Sequence, residues 1–132
     1  MTKHKYSTQI LENQLDSFGH VNNAVYMELY EEARWDLITS VHVGYSEIQA
    51  SQKGPIILEA NLKFKRELLN REKIQIKSTF IELQKSKIAV LSQIIEKEDG
   101  TISSEAIFKI GYMDTVERKL INVPEEWLAF FS

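Results

Sequence analysis

The chain has 132 residues, 43% of them hydrophobic and 27% charged, and this composition predicts one globular domain spanning residues 1–132. Its formal net charge of −3 argues against non-specific binding of nucleic acid, which needs an excess of clustered Lys and Arg. The absence of cysteine excludes disulfides, thiolate metal sites and cysteine nucleophiles.

The first part of the chain predicts a strand, a loop and then a long helix. The strand is expected over about residues 5–14, and the loop runs from Leu15 to Asn22. Beyond the loop, apolar residues recur at the spacing of a single helical face, namely Tyr26, Leu29, Tyr30, Ala33 and Leu37.

The ends of this helix also leave a signal in the sequence. Asn22 or Asn23 is a suitable N-cap, because its side chain can accept a hydrogen bond from a free amide of the first turn. The helix is expected to end near Thr39 or Ser40, and residues 41–54 predict a loop or a short second helix.

After Pro55 the helical spacing gives way to the alternation that is typical of strands. One face of the first such strand is predicted to be apolar, with Ile56, Leu58, Ala60, Leu62 and Phe64. Three further strands are expected, at about residues 73–77, 88–95 and 102–113, and the third of the four is apolar enough to be central. Short turns join them at residues 84–87 and at Asp99-Gly100. Pro124 then predicts the start of a short C-terminal helix.

This order of elements predicts an α+β domain. Short turns make neighbouring strands antiparallel, and the long helix has to bury its apolar face on their sheet. We therefore expect one long helix wrapped by a curved five-stranded antiparallel sheet.

The segment between the first strand and the helix carries a longer motif. It reads D-S-F-G-H-V-N-N-A-V-Y from Asp16 to Tyr26, and Y-E-E-A-R follows from Tyr30 to Arg34. This motif resembles the signature of the hotdog-fold thioesterases, in particular the 4-hydroxybenzoyl-CoA thioesterase-like group. The resemblance covers nearly the whole chain and implies hydrolysis of an acyl-CoA thioester without a metal or an organic cofactor. It also implies a homodimer, or a tetramer built from two dimers.

The resemblance assigns catalytic roles within the motif. Asp16 would act as general base on water or as nucleophile on the thioester carbonyl. The backbone N–H of Asn23, at the helix N-terminus, would stabilise the oxyanion. His20 would either move protons or fix the loop by hydrogen bonding, and Gly19 would allow a tight turn. Phe18 departs from the related acyl-ACP thioesterases, which carry Asn at this position.

Other residues are candidates for binding the substrate. Asn22 and Tyr26 lie beside the motif, although a capping role for Asn22 and a packing role for Tyr26 are also expected. Lys63, Lys65 and Arg66 belong to the densest basic cluster and could bind CoA phosphates, or could form a solvated face.

Two alternatives to an acyl-CoA thioesterase remain open from the sequence. The chain could hydrolyse acyl-ACP, or it could bind acyl-CoA or another apolar ligand without turnover. A cytoplasmic location, away from membranes, is expected because the N-terminus lacks an apolar signal segment and no stretch reaches 18 apolar residues.

Overall fold

A computed structural model describes residues 3–131 of the protein. The strands are β1 (Lys3–Gln9), β2 (Lys53–Phe64), β3 (Lys73–Gln84), β4 (Ile88–Lys97), β5 (Ile102–Asp114) and β6 (Lys119–Ile121). The helices are α1 (Asn23–Ser40), α2 (Tyr45–Ser51) and α3 (Glu125–Leu128). Two 3-10 turns lie at Glu12–Gln14 and Ala129–Phe131.

All of the strand pairs are antiparallel, as the short turns predict. The order across the sheet is β1-β3-β4-β5-β2, so β4 is the central strand of these five. β6 pairs with the last residues of β5 and lies beyond the end of β4. The sheet therefore has two long edges, β1 and β2.

The number of elements differs from the sequence prediction in two respects. Within residues 3–131 the sheet has six strands rather than five, because the three-residue β6 is too short to show a period. The long helix α1 is accompanied by α2, in the segment expected to be a loop or a short helix, and by α3 after Pro124. The α+β architecture with an antiparallel sheet is as predicted.

Helix α1 buries the predicted apolar face against the centre of the sheet. Its buried residues are Tyr26, Leu29, Tyr30, Ala33, Leu37 and Ile38. The Tyr30 ring packs edge-on to Phe108 of β5, with 5.7 Å between the ring centroids. Below it, Gln93 of β4 is fully buried and its amide donates hydrogen bonds to the Tyr30 carbonyl (3.2 Å) and the Ser78 hydroxyl (2.9 Å). This polar pair fixes α1 on the sheet, because a buried amide that lost its acceptors would be costly.

The first strand is shorter than predicted. β1 ends at Gln9, and the chain then crosses to the loop that precedes β3, where the Ile10 N–H donates to the Glu72 carbonyl (2.9 Å). The Gln14 side chain accepts from the Leu11 N–H (2.8 Å), which closes a 3-10 turn where the strand was expected to continue.

A β-bulge divides β2 and corrects the predicted faces of this strand. Ile57 lies opposite Ile110, but Glu59 lies opposite Lys109, so Leu58 is an extra residue in the register. Ile57 before the bulge, and Ala60 and Leu62 after it, therefore pair with the buried residues Ile110, Phe108 and Ala106 of β5, although Ile57 and Ala60 stay exposed at the sheet edge. Ile56 lies on the other face. Glu59 lies on the outer face, where its carboxylate is 3.6 Å from the Lys109 ammonium.

The C-terminal segment closes one end of the core with aromatic rings. Pro124 is the N-cap of α3, as the sequence predicts. Trp127 and Phe130 are buried against Phe80 of β3, at centroid distances of 5.6 Å and 4.8 Å. Among the helices of residues 3–131, none combines the length and the apolar character that crossing a membrane requires.

Candidate active site

The motif between β1 and α1 forms a tight loop. Leu15 and Val21 form an antiparallel bridge at its base. Inside it the Asp16 N–H donates to the His20 carbonyl (2.8 Å), and the Gly19 N–H donates to the Asp16 carbonyl (3.1 Å). Gly19 has φ +81°, a conformation that residues with a side chain rarely adopt, although a Cβ there would contact nothing within 4 Å. The glycine is therefore needed for the backbone of the turn.

Only one oxygen of the Asp16 carboxylate is used by this loop. Oδ1 accepts hydrogen bonds from the backbone N–H groups of Phe18 (2.9 Å) and His20 (3.1 Å). The residue is exposed, and within residues 3–131 no group donates to Oδ2. The loop thus holds the carboxylate in place and leaves one oxygen available to a water molecule or a substrate.

The first turn of α1 leaves one amide without an acceptor. Asn22 is the N-cap, and its side-chain oxygen accepts from the Ala24 N–H (2.8 Å). The Asn22 carbonyl accepts from the Val25 N–H (2.9 Å), and its own N–H donates to Gln14 (3.2 Å). The N–H of Asn23 has no acceptor in the part of the chain that the structure describes. It lies at the positive end of the helix dipole, seven residues after Asp16.

His20 connects this loop to the segment that follows β2. Its Nε2 lies 3.0 Å from the Glu67 carboxylate, and both side chains are about half exposed. The backbones of the two segments also pair: His20 forms an antiparallel bridge with Leu69, and the Val21 N–H donates to the Leu68 carbonyl (3.1 Å). This arrangement supports the loop-fixing role of His20, and it brings in Glu67, which the sequence prediction did not include.

Two of the predicted substrate-binding residues have structural partners. The side chain of Asn22 is occupied by capping the helix. Tyr26 is 4% exposed and packs edge-on to Phe64, with 5.0 Å between the centroids. A direct contact of either residue with substrate stays a prediction.

The basic cluster lies close to the motif. The contact between Phe64 and Tyr26 brings the end of β2 to the first turn of α1. Lys65 is paired with Glu105 (3.1 Å), whereas Lys63 and Arg66 are exposed and form no ion pair with another described residue. Lys63 lies opposite Glu105, on the face of the sheet away from α1, whereas its neighbour Phe64 faces the helix start. Phosphate binding by Lys63 and Arg66 stays a prediction.

The fold and the motif agree with comparison to known proteins. Residues 11–131 match the model of the thioesterase-like superfamily. The chain belongs to the thioesterase-like superfamily. The predicted resemblance to hotdog-fold thioesterases is thereby confirmed.

Individual relatives of this superfamily member include enzymes of two kinds. The long-chain acyl-CoA thioesterase FadM of Escherichia coli K12 is 28% identical over 113 residues, covering 85% of this chain and 84% of FadM. The chloroplastic acyl-acyl carrier protein thioesterase ATL3 of Arabidopsis thaliana is 29% identical over 75 residues, covering 57% of this chain and 40% of ATL3. A hypothetical Staphylococcus aureus protein, solved in complex with CoA, matches with TM-score 0.90 at 16% identity, covering 97% of this chain and 80% of that one. This last likeness shows a shared fold.

Our protein also has an apolar cavity of about 100 Å³ beneath the second half of α1. Its walls come from α1, the start of β2, the centre of the sheet and α3, and include Arg34, Ile38, Ile57, Leu91 and Trp127. Arg34 is eleven residues past Asn23, and at ~1.5 Å per residue the two are about 16 Å apart along the helix. The cavity and the free amide of one chain are therefore not adjacent.

The described residues offer no candidate metal site. Within 3–131, no group of three or more His, Asp and Glu side chains is arranged to hold a metal ion.

Proposed function

We propose that this protein hydrolyses an acyl-CoA thioester to a free carboxylic acid and CoA. One observation carries the proposal: a carboxylate with one fixed and one free oxygen, Asp16, shares a short loop with the unpaired N–H of Asn23. A carboxylate that takes a proton from water and an amide that stabilises an oxyanion are two groups that serve thioester hydrolysis. Membership of the thioesterase-like superfamily supports this reading.

The reaction follows from these two groups. Asp16 takes a proton from a water molecule as its oxygen attacks the thioester carbonyl carbon, and the carbonyl oxygen becomes an oxyanion next to the Asn23 N–H. The oxyanion then collapses, the C–S bond breaks, and the CoA sulfur leaves and gains the proton. If Asp16 attacks the carbonyl itself, the acyl-aspartate anhydride is opened by water and yields the same products.

The substrate would span more than one chain. The cavity suits an acyl group, but it begins more than one helical turn away from the Asn23 amide of the same chain. A two-fold partner that places its own helix start at this cavity removes the gap. This supports the homodimer that the family resemblance implies, with Lys63 and Arg66 near the CoA phosphates.

The proposal is tested by thiol release from acyl-CoAs of short, long and aromatic acyl groups. We expect Asp16→Asn to lower kcat by at least ~100-fold, as is typical for removal of a general base. Asp114→Asn is the matched control, because Asp114 Oδ1 also accepts from two backbone amides, those of Val116 (2.9 Å) and Glu117 (3.0 Å), in an exposed turn. Full activity in Asp16→Asn would contradict the catalytic role.

An acyl-ACP substrate is the second candidate, and the similarity to ATL3 is the observation that favours it. Carrier proteins are acidic, so their docking should weaken as salt screens the exposed Lys63 and Arg66. We would compare kcat/KM for acyl-ACP and the matching acyl-CoA at low and high salt. A preference for acyl-ACP that salt abolishes would replace the acyl-CoA assignment. If neither thioester is hydrolysed but acyl-CoA raises Tm, the protein is a binding module.

A further inference from the structure

Arg34 is a partly buried cation that pairs with no carboxylate among residues 3–131. Its Nη1 donates to the Gln93 side-chain oxygen (3.1 Å), and its guanidinium lies 4.3 Å from the centre of the Phe108 ring. It forms no ion pair with any described residue, and burial lowers the pKa of its guanidinium. A guanidinium carries five N–H donors and accepts nothing, so most of its donors have no protein acceptor. Buried charges are normally paired, which makes this arrangement unusual.

Trp127, which also lines the cavity beneath α1, carries a donor without a partner in the described part of the chain. Trp127 is 1% exposed, and its indole Nε1 is buried without a hydrogen-bond partner among residues 3–131. Both Trp127 and Arg34 line the cavity beneath α1, whose other walls are mainly apolar. Leaving a buried donor unsatisfied costs free energy, and such groups in a native protein usually mark a site that something else completes.

We propose that this cavity selects acyl groups that carry a hydrogen-bond-accepting oxygen beyond the thioester, with the Arg34 guanidinium and the Trp127 indole N–H as its donors. The inference rests on the proposed thioesterase function and adds the class of substrate. An unsubstituted alkyl chain would fill the apolar part of the cavity but would leave the Trp127 N–H and the remaining Arg34 N–H groups without an acceptor. A carbonyl or carboxylate oxygen would satisfy them.

The volume of the cavity and the charge on its wall narrow the class of acyl groups that it can bind. An apolar cavity of ~150 Å³ is known to bind benzene, so about 100 Å³ suits a group of roughly four or five heavy atoms. Glu31 also lines the cavity, is exposed, and acts on Arg34 by a charge interaction. The negative charge of Glu31 disfavours binding of an acyl group that ends in a carboxylate. We therefore expect a neutral oxo group to be bound better than a terminal carboxylate.

The test compares CoA thioesters of equal chain length. Butanoyl-CoA is compared with its 3-oxo derivative, hexanoyl-CoA with its 5-oxo derivative and octanoyl-CoA with its 7-oxo derivative. Each is also compared with the CoA monothioester of the dicarboxylic acid of the same chain length. We expect kcat/KM of at least one oxygenated member to exceed its alkyl partner by at least ~10-fold, as sites built to hydrogen-bond an oxygen reject analogues without it. Arg34→Met should remove this preference, and Trp127→Phe should reduce it. Arg118→Met, on an exposed turn, should leave it unchanged.

A purely structural role for Arg34 predicts a different result. Arg34→Met would then lower kcat/KM for alkyl and oxygenated substrates by the same factor, and this would overturn the proposal. Equal turnover of all paired substrates by the wild type would also overturn it while leaving the thioesterase function intact.

A binding measurement without turnover tests the selectivity for oxygenated acyl groups independently of the thioesterase function. Non-hydrolysable S-alkyl and S-(oxoalkyl) thioethers of CoA can be titrated into the 132-residue protein by calorimetry. Tighter binding of the oxoalkyl thioether, lost in Arg34→Met, supports the selectivity even if no thioester is cleaved. Equal affinity for the two thioethers contradicts it.

Discussion

Asn22 and Asn23 divide two tasks at the start of α1. The side chain of Asn22 satisfies the N–H of Ala24, and its carbonyl satisfies that of Val25. Asn23 contributes its backbone N–H, which no described residue accepts. The cap thus removes competing donors and leaves a single amide at the positive end of the helix. A substitution of Asn22 should act first on stability, whereas the role proposed for Asn23 does not depend on its side chain.

Loss of the cap gives a residue-scale prediction. Asn22→Ala should lower the free energy of unfolding by about 1 kcal/mol, because the Ala24 N–H loses its acceptor. Asn22→Asp should keep most of the stability, since aspartate is also a good N-cap. Urea denaturation measures both, with Asn13→Ala in the exposed 3-10 turn as control. A KM raised in Asn22→Asp without loss of stability would indicate that the side chain contacts substrate.

At the scale of elements, the β4–β5 hairpin depends on one carboxylate. Asp99 Oδ1 accepts from the N–H (2.9 Å) and the hydroxyl (2.7 Å) of Thr101, and Gly100 takes φ +89° between them. These bonds, the backbone N–H first, lower the pKa of the Asp99 carboxyl from its ordinary 3.8. The folded hairpin therefore favours the ionised form of this residue.

The pH dependence of this contribution has a definite sign. Because the folded pKa is depressed, the stabilisation is present above pH 3.8 and is lost as the pH falls through the lower folded value. Asp99→Asn should have a lower Tm than the wild type at pH 7, and the difference should shrink as the pH falls below 3.8. Thermal unfolding from pH 7 to pH 2.5 measures it. Glu98→Gln controls for the lost charge, and a Tm difference that stays constant with pH would contradict the argument.

At the scale of the molecule, the two edges of the sheet differ in character. The β1 edge is protected by exposed Lys3 and Lys5, since charged side chains discourage pairing with another strand. The β2 edge is 12 residues long and exposes Ile57 (39%), Leu58 (44%) and Phe64 (51%). A long edge with exposed apolar residues favours pairing with another chain. The β2 edge is therefore the one expected to form the homodimer.

A charge on this edge tests the assembly. We expect the wild type to have the mass of two or four chains in light scattering after size exclusion. Leu58→Lys should shift the population towards single chains, because an edge lysine opposes strand pairing. Ile107→Lys is the matched control: Ile107 is 39% exposed, but it lies on β5 and is paired with Asn61 of β2 and Ser92 of β4. Dissociation by Ile107→Lys alone would place the interface on the sheet face instead.

Much of the local structure follows from the sequence. The face of α1 that contains Leu29, Ala33 and Leu37 is buried as its spacing predicts, because burial along one helix depends on a period within that helix. The strands beyond Pro55 and the turn at Asp99-Gly100 are likewise local patterns. Asp16 and Asn23 are candidates because the continuous motif that contains them resembles that of the hotdog-fold thioesterases.

Other features depend on which distant segments meet. The bulge at Leu58 reverses the faces at the start of β2, and it is defined only by the register with β5. Glu67 meets His20 across a separation of 47 residues in the sequence. Arg34 lies in the quoted motif, but the sequence does not reveal that its guanidinium lacks a carboxylate partner or that Trp127 shares its cavity.

By itself, the sequence determined the α+β class, the helix, most of the strands and the loop that carries Asp16, since each rests on short-range periodicity or on a contiguous motif. Only the tertiary structure decided the sixth strand, the bulge, the partner of His20 and the cavity that Arg34 and Trp127 line. The physical reason is that hydrogen-bond satisfaction and burial are properties of the whole packed chain. A residue's type specifies what it can donate or accept, but the fold decides which groups come within reach.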